Sequence, residues 1–157
     1  TIAKENEPGQ RIEINGTVYL NDGSTPAKNV TLYIYHADSR GFNSTSGSQK
    51  FGKTHGHLRG WVRSDDEGQF RFYTIRPGVI AKKKRPAHIQ IYVKEPRKTV
   101  YYVDELWFDD DPLVTNKLRS ETEKRGGDMV VHLAKSKDGI MRGKLKIILG
   151  LNIPNYQ

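Results

Sequence analysis

Cysteine is missing from all 157 residues, which excludes disulfides and thiolate metal sites together and leaves the compartment open. Nowhere do about 20 apolar residues run together, so no membrane-spanning helix is expected. No signal peptide stands in the residues given. The first residue is Thr1 rather than Met, and the expectation is that a leading segment was removed. Helical periodicity is scarce: only residues 112–125 offer a turn or two, with Leu113, Val114 and Leu118 at helix-like offsets and Gly126-Gly127 as a stop. A basic stripe interleaved with aromatics is not visible along the chain, which argues against a nucleic-acid partner.

What is present is a basic chain with enough apolar content for a core. Hydrophobic residues make up 35%, enough for one domain. The formal charge is +8, spread along the chain with one local run at Lys82, Lys83, Lys84 and Arg85 and a looser set at residues 135–146. A solvated basic surface is the expectation for most of it. The local run beside His88 would make a pocket mouth attractive to an anionic small molecule.

Period-two patterns dominate. Ile12, Ile14, Val18 and Leu20 share one parity, reading as a strand over residues 11–20 interrupted at Gly16. Asn21-Asp22-Gly23 supplies a turn. Val30, Leu32 and Ile34 alternate with Thr31, Tyr33 and Tyr35 and lead to a corner at residues 38–41. Residues 61–63 and 69–73 read as a hairpin across Asp65-Asp66-Glu67-Gly68. A strand over 101–108 ends at Asp109-Asp110-Asp111-Pro112, and strands at 129–133 and 145–151 complete the count. Short strands at regular spacing predict an all-β fold, an antiparallel β-sandwich with little helix. It would occupy residues 11–157 as a single domain preceded by a flexible N-terminal arm at 1–10, laid over the body.

The stretch TIRPGVIAKKKRPAHIQIYV, residues 74–93, organises the functional reading. A strand ends at Pro77-Gly78, a basic loop crosses, and a second strand starts near His88. Residues two apart on a strand point the same way, about 7 Å from each other. His88, Gln90 and Tyr92 therefore share one face, and Ile89, Ile91 and Val93 the core face.

The order TIRPG, loop, RPAHI, preceded by RGWVRSDDEGQFRF and followed by YYVDELWFDDDP, resembles the intradiol ring-cleavage dioxygenases, the catechol and protocatechuate enzymes and their small secreted relatives. GTVYLNDGSTPAKNVTLYIYHADSRGF resembles that family's opening strands. The resemblance implies an intradiol, prealbumin-like β-sandwich and, in the enzymes, a non-haem Fe3+ held by two tyrosines and two histidines. Carried across, the tyrosine positions fall at Asn43 and Ile80, and the histidine positions at His88 and Gln90. One ligand of four remains, and amide oxygens and an alkyl chain do not replace phenolate and imidazole donors for a hard cation. The resemblance further places Phe42, Arg85 and Glu105 at the cavity, with Arg85 where the enzymes steady the substrate's developing carbanion. It also suggests a secreted or periplasmic protein.

Three readings follow. The first is a pseudoenzyme: a domain without the iron site that binds a small aromatic or anionic ligand, or a partner protein, through the old cavity, with no cofactor. Its binding residues would be Arg85, His88, Gln90, Glu105, Asn43, Phe42, Ile80 and Tyr92. The second is an active dioxygenase for a catechol-type aromatic substrate with an atypical metal site drawing on His55, His57 or Tyr92. The third is a metal-free enzyme using His88, Arg85 and Glu105 for proton transfer. A homo-oligomer is compatible with each.

Overall fold

The computed structural model describes residues 1–43, 56–79 and 83–157. Among the described residues, ten strands and one short helix follow in order: β1 (Arg11–Tyr19), β2 (Thr31–His36), β3 (Arg59–Arg63), β4 (Gln69–Ile75), β5 (Ile89–Lys94), β6 (Tyr101–Tyr102), β7 (Trp107–Phe108), α1 (Asn116–Ser120), β8 (Val130–Val131), β9 (Ala134–Lys135) and β10 (Met141–Ile148). One sheet has the order β4-β1-β10-β9 and a second the order β3-β2-β5-β6, with β7-β8 as a small third. The alternation that wrote these strands also buries them. Ile12, Ile14, Phe72, Leu145 and Ile147 from the first sheet meet Leu32, Ile34, Ile89, Ile91 and Val93 from the second in one apolar core, the arrangement of two stacked sheets. The all-β architecture is as expected.

Several elements differ from their sequence reading. Strand β1 runs unbroken through Gly16, where an added Cβ would lie 2.2 Å from the Phe70 ring. The glycine there admits the ring rather than ending the strand. Two pairings are parallel, β1 with β10 and β7 with β8, because the last long strand returns to the sheet centre beside the first. Strands β3 and β4 do not pair as a hairpin. The turn between them forms, with Asp65 Oδ1 accepting from the Glu67 and Gln69 amides at 2.9 and 2.8 Å, yet it hands the chain from one sheet to the other.

Residues 101–108 split into β6 and β7, since the intervening residues serve other partners: the Asp104 amide donates to the Arg125 carbonyl at 3.0 Å. The helical segment shrinks to α1, capped by the Thr115 hydroxyl accepting from the Leu118 amide and burying no side chain. Leu20 lies outside β1 and is exposed.

The N-terminal residues pack against the body. The Ile2 amide donates to the Tyr73 carbonyl at 2.7 Å, Ala3 is buried with Leu58 and Ile75, and Glu7 meets His57 Nε2 at 2.9 Å.

Candidate functional site

At the N-terminal end of β5 the chain runs Arg85-Pro86-Ala87-His88. Its position is held by Asp111, whose carboxylate is buried and accepts from the Ala87 amide at 3.1 Å and the Leu113 amide at 2.9 Å. Facing it is the corner at Asp38, another buried carboxylate, which accepts from the backbone amides of Arg40 and Phe42 at 2.9 and 3.1 Å. The Asp38 carbonyl receives the Gly78 amide at 2.9 Å. Gly78 passes so close to this corner that a Cβ would stand 2.1 Å from the Ser39 carbonyl oxygen. The Pro77-Gly78 break thus serves close backbone approach at the pocket wall.

Between corner and loop lies a cavity of about 130 Å³, lined among others by Asn43, Lys83, Arg85 and His88. His88 Nδ1 donates to the Pro86 carbonyl at 3.0 Å; a carbonyl can only accept, so that nitrogen carries the proton. Nε2 then looks toward Glu105 Oε1 at 3.9 Å. The same carboxylate is ion-paired with Arg85 and accepts from the Trp107 indole at 3.3 Å. On its far side, Glu105 and Gln90 line a second cleft of about 290 Å³ with Tyr102, Trp107 and Arg119. Glu105 thus belongs to the Gln90–Trp107 cleft and reaches the other hollow only through its contacts with Arg85 and His88.

Of the residues expected at the site, Arg85, His88, Glu105, Gln90 and Asn43 therefore fall around two adjoining hollows. Phe42 is exposed and lies under the Arg40 guanidinium, 5.6 Å from its ring centre, and lines neither hollow. Tyr92 shares the Gln90 side of β5 but stands among Tyr33, Tyr35 and Tyr102. Ile80, Lys82 and His55 lie outside the described residues. His57 faces Glu7. Among the described residues, no three His, Asp or Glu side chains gather where they could hold a metal ion.

Sequence reading missed Asp111, Asp38 and Trp107. The acidic triplet read as a strand stop is a set of three distinct anchors: Asp109 accepts from His132 at 2.9 Å, Asp110 pairs with Arg76 at 2.6 Å, and Asp111 holds the Ala87 amide. Buried His36 lies nearby, its Nδ1 at 2.6 Å from the Ala37 carbonyl and its Nε2 at 2.6 Å from the Thr74 hydroxyl. Burial pushes its pKa down to about 4, so the ring is neutral near pH 7 and Nε2 accepts the Thr74 proton.

A family model described as Dioxygenase matches residues 1–148. The chain belongs to the intradiol ring-cleavage dioxygenase family. The beta chain of protocatechuate 3,4-dioxygenase from Burkholderia cepacia is 29% identical over 119 residues, covering 71% of this chain and 50% of the relative; the chain spans about half that relative's length. Among solved structures, the dioxygenase domain of a dioxygenase–carbohydrate-binding protein fusion from Streptomyces sp. SirexAA-E superposes with a TM-score of 0.71 at 20% identity, covering 94% of this chain and 84% of that one. Catechol 1,2-dioxygenase from Acinetobacter sp. ADP1 superposes with a TM-score of 0.64 at 19% identity, covering 94% and 55%. At these identities the structural likeness establishes the intradiol dioxygenase fold.

Proposed function

We propose that this intradiol dioxygenase-like domain binds a small aromatic carboxylate at the Arg85–His88 pocket and does so without ferric iron. The observation that carries this reading is the convergence of Lys83, Arg85 and His88 on one small hollow, with Glu105 holding Arg85 from behind. A planar guanidinium suits a carboxylate in two-point contact, and Lys83 adds charge at the mouth. The aromatic part of the proposal follows the relatives, which are named for protocatechuate and catechol.

The donor chemistry supports the iron-free part. The residues at the family's ligand positions are Asn43, Ile80, His88 and Gln90, and neutral amide oxygens are poor donors for a hard trivalent cation. Among the described residues, His88 has only Glu105 as an anionic neighbour within 4 Å, and that carboxylate already serves Arg85 and Trp107.

The test is calorimetric titration with 3,4-dihydroxybenzoate and with catechol, beside metal analysis of protein purified without chelators. The carboxylated ring should bind, catechol should bind at least about tenfold more weakly, and Arg85→Ala should cost a similar factor, the size expected for a charge-assisted hydrogen bond. A burgundy preparation carrying iron stoichiometric with the chain, or equal affinity for the two rings, would refute the proposal.

A further inference from the structure

The outward face of the β3-β2-β5-β6 sheet carries a row of aromatic rings that the pocket does not use. Strand register sets Trp61 opposite Tyr33, Tyr33 opposite Tyr92, and Tyr92 opposite Tyr102. Four rings from four neighbouring strands therefore form one line across the strand direction. Their centroids are 4.9, 6.4 and 6.4 Å apart in that order, and with strands spaced about 4.8 Å the line spans roughly 14 Å. Trp61 is 69% exposed and Tyr102 45%, an unusual outlay of ring surface on a sheet face. Over the row lies a hollow of about 210 Å³ floored by Tyr33, Trp61 and Tyr92 and edged by Lys94 and Val100.

Positive charge edges the Trp61–Tyr33–Tyr92 part of the row. The Lys94 ammonium is fixed at the edge by the carbonyls of Glu95 and Lys98, which hold it without neutralising it. Arg59 stands opposite Tyr35 in the strand register, and its charge opposes the rise that burial gives the Tyr33 phenol pKa. At the Tyr102 end the row borders the cleft where Asp104, Glu105, Glu121, Glu123 and Asp128 stand with Arg119, Lys124 and Arg125; Glu105 is matched there by Arg85 and Asp128 by Arg119, and the chain as a whole carries +8.

We infer that this face is a docking strip for an acidic polysaccharide, a chain of uronic-acid rings laid along the aromatic line. Pyranose rings present flat C–H faces that stack on aromatic π surfaces, and their carboxylates complement Lys94 and Arg59. Single-stranded nucleic acid would also be drawn to rings and cations, but it stacks one base on each separate ring. Here Trp61, Tyr33 and Tyr92 lean on one another at 36° and 46°, giving a tiled strip that fits rings joined end to end, and Tyr102, edge-on at 70° with the Arg125 guanidinium 3.5 Å from its ring centre, closes the far end. The strip lies apart from the Arg85–His88 pocket and does not rest on the function proposed for it.

The experiment is affinity electrophoresis of the full chain through gels containing polygalacturonate, neutral xylan or oligo(dT), with tryptophan fluorescence as a second readout. Polygalacturonate should retard the chain and shift its emission, with binding weakened by added salt. Trp61→Ala should weaken this at least about tenfold, while its far-UV circular dichroism and urea midpoint stay close to those of the parent chain, which shows that it is folded. Lys94→Ala should reduce the salt dependence. Equal retardation by neutral xylan, tighter binding to oligo(dT), no retardation by polygalacturonate, or self-association that Trp61→Ala abolishes would each overturn the assignment.

Discussion

His36 shows how much one side chain can bind stability to pH. Its ring is 3% exposed, and desolvation lowers its pKa from 6.5 to about 4, against smaller opposing effects of the Ala37 carbonyl and Glu7 and a minor lowering by His57 and His88. The unfolded chain protonates this histidine near pH 6.5 and the folded chain only near 4, so stability falls as pH drops through that window. The loss is on the order of 3 kcal/mol at its acid end. Urea unfolding between pH 7 and pH 4 should show that slope, and His36→Gln, though less stable at pH 7, should flatten it. Gly16 makes a steric counterpart. Gly16→Ala drives a methyl into the Phe70 ring and the Leu145 carbonyl oxygen, 2.2 and 2.6 Å away. Overpacking against backbone should cost about 1–3 kcal/mol, read as a lower urea midpoint at constant m.

At the level of the element, the segment after β10 depends on one buried carboxylate. Glu95, at the end of β5, accepts the Tyr101 hydroxyl at 2.7 Å and the Tyr156 hydroxyl at 2.9 Å, and the two rings meet edge to face at 5.9 Å. Burial and the carboxylate raise the pKa of both phenols, that of Tyr156 to about 12, so both stay donors across the neutral range. Glu95→Ala leaves those hydroxyls without their acceptor and should cost about 1–3 kcal/mol. Amide exchange over residues 149–157 should accelerate more than exchange in β1 or β2, whose ladders the change does not touch.

Across the whole molecule, both sheets share one core, so damage from either side should be felt as one event. Ile91 in β5 and Ile147 in β10 are both fully buried in it. Ile91→Ala and Ile147→Ala should each cost about 2–5 kcal/mol, and each should lower a single cooperative transition seen alike by circular dichroism and tryptophan fluorescence. Two separate transitions would show that the sheets unfold independently.

The period-two pattern in residues 12–18, 30–36 and 89–93 decided by itself which side chains enter the core, because the alternation of Cβ directions is a local property of extended chain. The Asp65–Gly68 turn was legible for the same reason, as its carboxylate–amide bonds close within five residues. The motif order through residues 74–112 carried the family and set Arg85, His88 and Glu105 at one cavity, while the ion pair of Arg85 with Glu105 came from the fold. What tertiary structure alone decided is which strands become neighbours. Parallel pairing of β1 with β10 joins residues more than a hundred positions apart, and β3 and β4 part into different sheets although a tight turn joins them. The row from Trp61 to Tyr102 and the grip of Asp111 on Ala87 belong to that second class. Each depends on register between distant segments, which no single stretch of sequence encodes and which the packing of the shared core selects.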